Sequence, residues 1–469
     1  MMNIDMINIG TWLVYLLCWV VLGVFVWLVA RHRTILLGFT LMAAFSIALT
    51  NLSALFITKT FLLDEFFLTG ERVEAGLLTL AGLLMFAAGV WIAWRPLRRN
   101  QPVVNPFVGY PANVVLFLVI GIGAVVVTPF IYKIPTLGAI TAQSGLLIQL
   151  ALLSSLVLAI YRTNVRILLL ICFAYALVGM AMVVVSGFAG LLGNFLLHAM
   201  FLFLFLKQLR LSRVLLFAAG LFVYFALASV WMQKRSLIRE EQLTSTTLVG
   251  RMAEFYASFG SSLNESLIRP ETLQQVALDR IDMSQLNALQ ISWMPEGEPY
   301  SMGRSLFIDP LYALVPRVLW PEKTITQGDT QFINRYTGLQ LSNETISVDT
   351  NITFELYANF GWAGIVFGLG VFGWVVARLE LALFRPGKAM WQVLMISLVL
   401  FSFSTGGRRA AAMMLEIGGS VVGAYLIGLG FGLLNKLRGK LPLLDAAAEP
   451  SVPSLPSLPP GLSAKRRRP

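Results

Sequence analysis

The 469 residues are 57% hydrophobic and only 13% charged, with a formal net charge of +11. Apolar runs of about twenty residues recur along the chain and exclude a soluble globular protein. The basic residues stand in short clusters beside those runs, the pattern of the positive-inside rule, so the charge points to membrane topology and not to nucleic acid.

The N-terminus, MMNIDMINIG, lacks the positive n-region of a cleavable signal, and the first apolar run is expected to stay as a helix. About eleven spans are predicted, near residues 7–29, 35–57, 74–94, 112–132, 145–161, 166–185, 188–206, 213–232, 354–376, 390–405 and 410–434. Arg31 and Arg33, Arg95, Arg98 and Arg99, Arg162 and Arg166, Lys207, Arg210 and Arg213, and Arg378, Arg385 and Lys388 fall in alternate loops. Those loops are therefore assigned to the cytoplasm, which gives an external N-terminus and a cytoplasmic C-terminus. The expected organisation is a membrane domain of eight helices (1–232), a large external loop (233–353), a second membrane domain of three helices (354–434) and a basic tail (435–469). The tail is rich in Pro and Ser and cannot bury a core; its KRRR end is expected to meet anionic lipid headgroups.

Within the long loop, Leu248, Val249, Met252, Phe255, Tyr256 and Phe259 recur at helical spacing, and TLQQVALDRIDMSQLNALQIS is a second amphipathic run. Either these helices lie on the bilayer, or they form the small core of an external subdomain. Arg304 to Leu314 is a further short helical pattern, and Pro316 and Pro321 then impose turns.

Residues 303–364 form the longest polar region. It contains VPRVLWPEK, which sets Arg317, Trp320 and Lys323 between and beside two prolines, and FELYANFGWAG, which sets Glu355, Tyr357 and Asn359 at the start of an apolar span. Arg408 and Arg409 lie in STGGRRAAA, a hairpin that alternation places outside, where the positive-inside rule disfavours them. They either bind phosphate, which guanidinium pairs bidentately, or pair with the acidic long loop. With Arg304, Arg317, Lys323 and Arg335 they would form a positive basin for a diphosphate. Glu416, in the middle of a span, is expected to pair with an arginine. His32 and His198 are too few and too far apart for a metal site, Cys18 and Cys172 fall in apolar runs, and HExxH, P-loop and GxSxG motifs are absent, so no metal or cofactor is expected.

VPRVLWPEK followed by ELYANFGWAG resembles the external-loop signature of the bacterial repeat-unit polymerases of O-antigen and exopolysaccharide assembly, the Wzy type; Thr324 departs from it, where a proline is expected after the lysine. The resemblance implies an all-α polytopic protein of the bacterial inner membrane, similar to the GT-C-like, polyprenyl-phosphate-sugar-dependent transferases. It further implies that undecaprenyl-diphosphate-linked oligosaccharides are joined on the periplasmic face, with a flippase and a chain-length regulator as partners. On that reading Glu355 and then Asp349 are the candidate proton acceptors, Arg317 and Arg408 stabilise the leaving diphosphate, and Arg304, Trp320, Lys323, Arg335, Tyr357, Asn359 and Arg409 hold substrate. An O-antigen ligase and a flippase or other transporter are the alternatives. A ligase is expected to carry a histidine in its large loop, which this loop lacks, and a transporter is expected to show helices broken near the midplane.

Overall fold

A computed structural model describes residues 2–31, 38–52, 69–94, 247–268, 284–314, 320, 329–340 and 350–383, with isolated positions from 385 to 429. Among them every regular element is helical. Three apolar helices open the chain: α1 (Met2–Arg31), α2 (Gly38–Leu52) and α3 (Thr69–Trp94). They contain most of the first three expected spans. The spans predicted between residues 112 and 232 lie outside the described residues, as do most positions of the last two.

Two helical segments are long and apolar enough to cross a bilayer: Glu71–Trp94, with mean hydropathy 2.0 over its best window, and Ile352–Leu383, with 1.8. At a rise of about 1.5 Å per residue, α3 alone exceeds a hydrocarbon core of about 30 Å.

The helices of the long loop follow. They are α4 (Leu248–Ile268), α5 (Ser284–Trp293), a π-helical turn (Arg304–Ile308) that runs into α6 (Asp309–Leu314), and α7 (Asp329–Thr337). The helical spacing noted at 248–259 is thus realised in α4, whose Phe255, Tyr256 and Phe259 rings pack on one another; burial pushes the Tyr256 phenol up to about 12. Of the second amphipathic run, α5 is the described part. The chain then enters α8 (Ile352–Ala363), a second π-helical turn (Gly364–Gly368) and α9 (Leu369–Leu383). The continuous span expected at 354–376 is therefore corrected to a broken one, interrupted at Gly361, where φ is 59° and ψ is −140°.

At the centre of the bundle, α3 and α9 lie side by side and run in the same direction. Glycines make the approach possible: a Cβ on Gly89 would lie 1.9 Å from the Gly370 carbonyl oxygen, and one on Gly373 would lie 2.4 Å from that of Phe86. Small residues let apolar helices pack backbone to backbone where lipid provides no hydrophobic drive. α1 runs parallel to α3 on another side, with the Cys18 thiol donating to the Gly76 carbonyl at 3.7 Å and the Phe25 and Phe86 rings edge to face at 6.4 Å. α2 is held at its start by Glu380 of α9. That carboxylate accepts from the Phe39 N–H at 2.9 Å, the Thr40 N–H at 2.8 Å and the Thr40 hydroxyl at 2.6 Å. A buried negative charge on the N–H groups that open a helix is stabilised by their dipoles.

Outside, the bundle is apolar. Leu13, Leu16, Val20 and Val24 of α1, Leu84 and Ile92 of α3, Phe367 of the second π-helical turn and Val371 of α9 are exposed, with Trp12 and Trp27 towards the two ends of the α1 face. Contiguous exposed apolar surface of this kind is what a lipid solvent selects and water does not.

Candidate functional site

The start of α8 is polar and yet sealed. Asn351 caps the helix, its Oδ1 accepting from the Phe354 N–H at 2.7 Å, and every residue from 352 to 359 is buried. Thr353, Glu355 and Asn359 are among them. Neighbouring elements contribute more polar groups: Gln290 of α5 is 1% exposed and donates from Nε2 to the Phe354 carbonyl at 3.0 Å, and Asn287, one turn earlier, is buried too. Between α3, α5 and α8 a small cavity is lined by Thr79, Asn287, Gln290, Thr353 and Tyr357 along with apolar side chains. The Thr353 hydroxyl is buried on this lining with no hydrogen-bond partner. Buried polar groups cost free energy unless they are paired, so their concentration at one helix start marks this end of the bundle.

Asn359 fixes the loop to the helix. Its Oδ1 accepts from the Ser301 hydroxyl at 2.5 Å and the Gly303 N–H at 2.9 Å; its Nδ2 donates to the Ser305 hydroxyl and the Glu355 carbonyl, both at 2.7 Å. These four bonds use both acceptor sites and both donors of the amide. Two residues later the helix breaks. The Ala358 and Asn359 carbonyls there accept from the Ser301 and Met302 N–H groups at 3.0 and 3.1 Å. Gly361 is obligatory on two counts: its positive φ suits glycine, and a Cβ would meet the Tyr300 ring at 2.9 Å. The FGWAG part of the motif thus encodes a docked break. Trp362 beyond it donates from Nε1 to Glu74 at the start of α3, at 2.8 Å.

The residues singled out in the sequence are distributed as follows. Glu355, at the start of the apolar run, is fully buried. Asn359 is committed to the loop within the protein, and Tyr357 is 5% exposed with its ring edge-on to Tyr300 at 6.2 Å. Arg409 is 6% exposed, and its guanidinium stands 4.6 Å from the centre of the Phe332 ring, which in turn touches Phe354, the neighbour of Glu355. Arg335 is paired with Glu298 at 2.6 Å, and the hydrogen bond to that carboxylate raises its already high pKa. Arg304 is exposed at the first π-helical turn. Trp320 is 41% exposed and edge-on to Tyr312 at 5.3 Å. Of the six cations of the expected basin, the three described ones point apart: Arg335 is turned to Glu298, Arg304 to solvent and Arg409 to the interior. Arg317, Lys323, Asp349, Arg408 and Glu416 lie outside the described residues.

Asn287, Gln290 and Thr353 were not foreseen. The signal for the first two was an amide pair at i, i+3 inside an amphipathic run. Glu380 was passed over as well: it falls just past the span expected at 354–376, beside Arg378, and the helix α9 carries it into the bundle. Among the described residues, no three His, Cys, Asp or Glu side chains gather as a metal site would need.

Residues 85–383, well over half of the chain, match a family described as a domain of unknown function, DUF8712, and the chain belongs to that family. The match begins within α3 and ends with α9. It includes Arg317 and Glu355 and stops before Arg408 and Arg409. No curated protein and no solved structure matches the chain.

Proposed function

We propose that this chain is a multi-pass membrane glycosyltransferase of the Wzy type. It would join undecaprenyl-diphosphate-linked oligosaccharide repeat units on the periplasmic face of the bacterial inner membrane, with about eleven spans in a GT-C-like arrangement, a periplasmic N-terminus and a cytoplasmic C-terminus. The observation that carries the reading is the sealed polar start of α8: the segment that holds the ELYANFGWAG motif brings Glu355 into the bundle, with Arg409 two rings away through Phe332 and Phe354.

In the proposed step an acceptor sugar hydroxyl attacks the anomeric carbon of the donor. The bond from that carbon to the diphosphate oxygen breaks, and undecaprenyl diphosphate leaves with the electron pair. Glu355 takes the hydroxyl proton. Cations held in place, Arg409 with Arg317 and Arg408, stabilise the charge that grows on the diphosphate. Because Glu355 is shut off from solvent, the reading requires the start of α8 to open for the acceptor.

A transporter is the second reading, favoured by the helix break at Gly361, since broken helices expose backbone to a substrate path. Here the carbonyls at the break are taken by Ser301 and Met302, which leaves them unavailable to an ion or solute. The lipid-linked glycan profile of cells carrying Arg317→Ala, Arg408→Ala or Glu355→Ala, with membrane abundance confirmed, separates the possibilities. A single capped repeat unit in place of a ladder supports the polymerase. Long chains retained on the carrier indicate a ligase, accumulation of carrier-linked units on the cytoplasmic face indicates a flippase, and an unchanged ladder in all three variants rejects the site.

A further inference from the structure

The element formed by the first π-helical turn and α6 is inside out. Its small and polar residues, Gly303 and Ser305, are buried against α8, and Ser305 bonds to Asn359. Leu306 packs against the core, but other large apolar residues face away from the protein: Phe307 is 65% exposed, Ile308 45% and Leu311 64%, with Met302, just before the element, at 74%. In water such a face carries a hydrophobic penalty with nothing to offset it. It is also continuous with the exterior of the bundle. A Cβ placed on Gly303 would touch both the Phe307 and the Phe360 rings, so those two rings adjoin, and after Phe360 the same helical run exposes Phe367 in the second π-helical turn and Val371 in α9.

We infer that this element is an interfacial foot, seated in the outer leaflet of the lipid bilayer with Phe307 and Leu311 among the upper acyl chains. Three features select lipid as the occupant. The face joins the surface of a helix apolar enough to span a bilayer. Half-exposed Tyr312 and Trp320, packed edge to face, flank it with rings that favour the headgroup level. Arg304, exposed at the start of the element, stands at the margin of the face, where a long cationic side chain reaches lipid phosphate while its stem stays apolar; the partly buried Asp309 is the element's other charged group. The foot has a consequence for the site. Asn359 and the carbonyls at the break tie it rigidly to α8, so its seat in the leaflet sets the depth of Glu355 and of the cavity relative to the lipid phosphates.

The inference rests on the membrane reading of the chain and not on its glycan chemistry. It is tested in the full-length protein with Cys18→Ser and Cys172→Ser, reconstituted in phosphatidylcholine and phosphatidylglycerol vesicles. A single environment-sensitive fluorophore is attached through Leu311→Cys, or through Phe307→Cys as an independent second site. Val24→Cys on the exposed face of α1 is the lipid control, and Glu296→Cys is the loop control. Aqueous iodide and lipids carrying a nitroxide high on the acyl chain serve as quenchers. The foot predicts a blue-shifted emission at 311 and 307, strong quenching by the shallow nitroxide, and iodide quenching several-fold weaker than at 296. Full iodide access at 311 and 307, with position 24 still quenched by lipid, overturns the foot and leaves the membrane reading standing. Iodide access at all positions overturns both. Protection from both quenchers at 311 and 307 shows that protein covers the face, and overturns the foot as well.

Discussion

One helical run, Ile352–Leu383, carries a buried glutamate near each end, and the two are used differently. Glu380 is spent on structure: three donors at the start of α2 converge on its two oxygens and tie α2 to α9. Glu355 stands in a sealed segment with Thr353 and Asn359; Thr353 and Tyr357 of that segment line a cavity with the α5 amides, and a helix break that a loop has docked against follows. A carboxylate that only has to join two helices needs one set of donors. The wider polar surplus at the other end is more than joining requires, and this contrast is the reason for placing function there.

The largest stability effect is expected at the Glu380 end. Glu380→Ala leaves the Phe39 and Thr40 N–H groups buried and unpartnered, a loss of about 3 kcal/mol, read as a lower melting temperature in detergent. Glu380→Gln keeps one acceptor and should lose less. A wild-type melting curve for Glu380→Ala would show that the α2 to α9 link holds nothing.

Next comes the break in α8. Gly361→Ala forces a side chain into a glycine conformation and against Tyr300, for a loss of about 2 kcal/mol. Adding Tyr300→Ala should recover only the part due to the contact, which separates backbone strain from crowding. Asn359→Ala orphans the Gly303 N–H and frees the foot, for about 1–2 kcal/mol, and protease sensitivity near residue 303 should rise with it. The smallest effect is expected of Arg335→Ala: its ion pair with Glu298 is partly exposed, with side-chain exposures of 39% and 22%, so that less than about 1 kcal/mol is at stake. A larger loss would mean that the loop depends on this pair and not on Asn359.

Much of the helical layout was legible in the sequence, because long apolar runs bounded by charge report helices whatever packs on them. α1, α2 and α3 fall where those runs lie, and the helical spacing at 248–259 gave α4. The break in α8 was not legible. A glycine in an apolar run reads as a small packing residue, and the ring that leaves no room for a Cβ at Gly361, that of Tyr300, comes from some sixty residues earlier in the chain. The site was legible in part. Composition drew attention to Glu355 and Asn359, but whether a polar side chain meets solvent, substrate or another protein group depends on partners distant in sequence. Asn359 meets Ser301, Gly303 and Ser305, and Arg335 meets Glu298; neither partnership has a local signature. Glu380 escaped because nearby Arg378 marked that end as an ordinary charged flank.

The contrast between the two glutamates is tested most directly by placing Glu355→Gln and Glu380→Gln side by side, scoring melting temperature and lipid-linked glycan ladder in the same preparations. Glu355→Gln is expected to melt near the wild type and to stop at a single repeat unit. Glu380→Gln is expected to melt lower while the folded fraction still builds a ladder. A full ladder from Glu355→Gln, or loss of the ladder in a normally stable Glu380→Gln, would contradict the assignment of function to the α8 end.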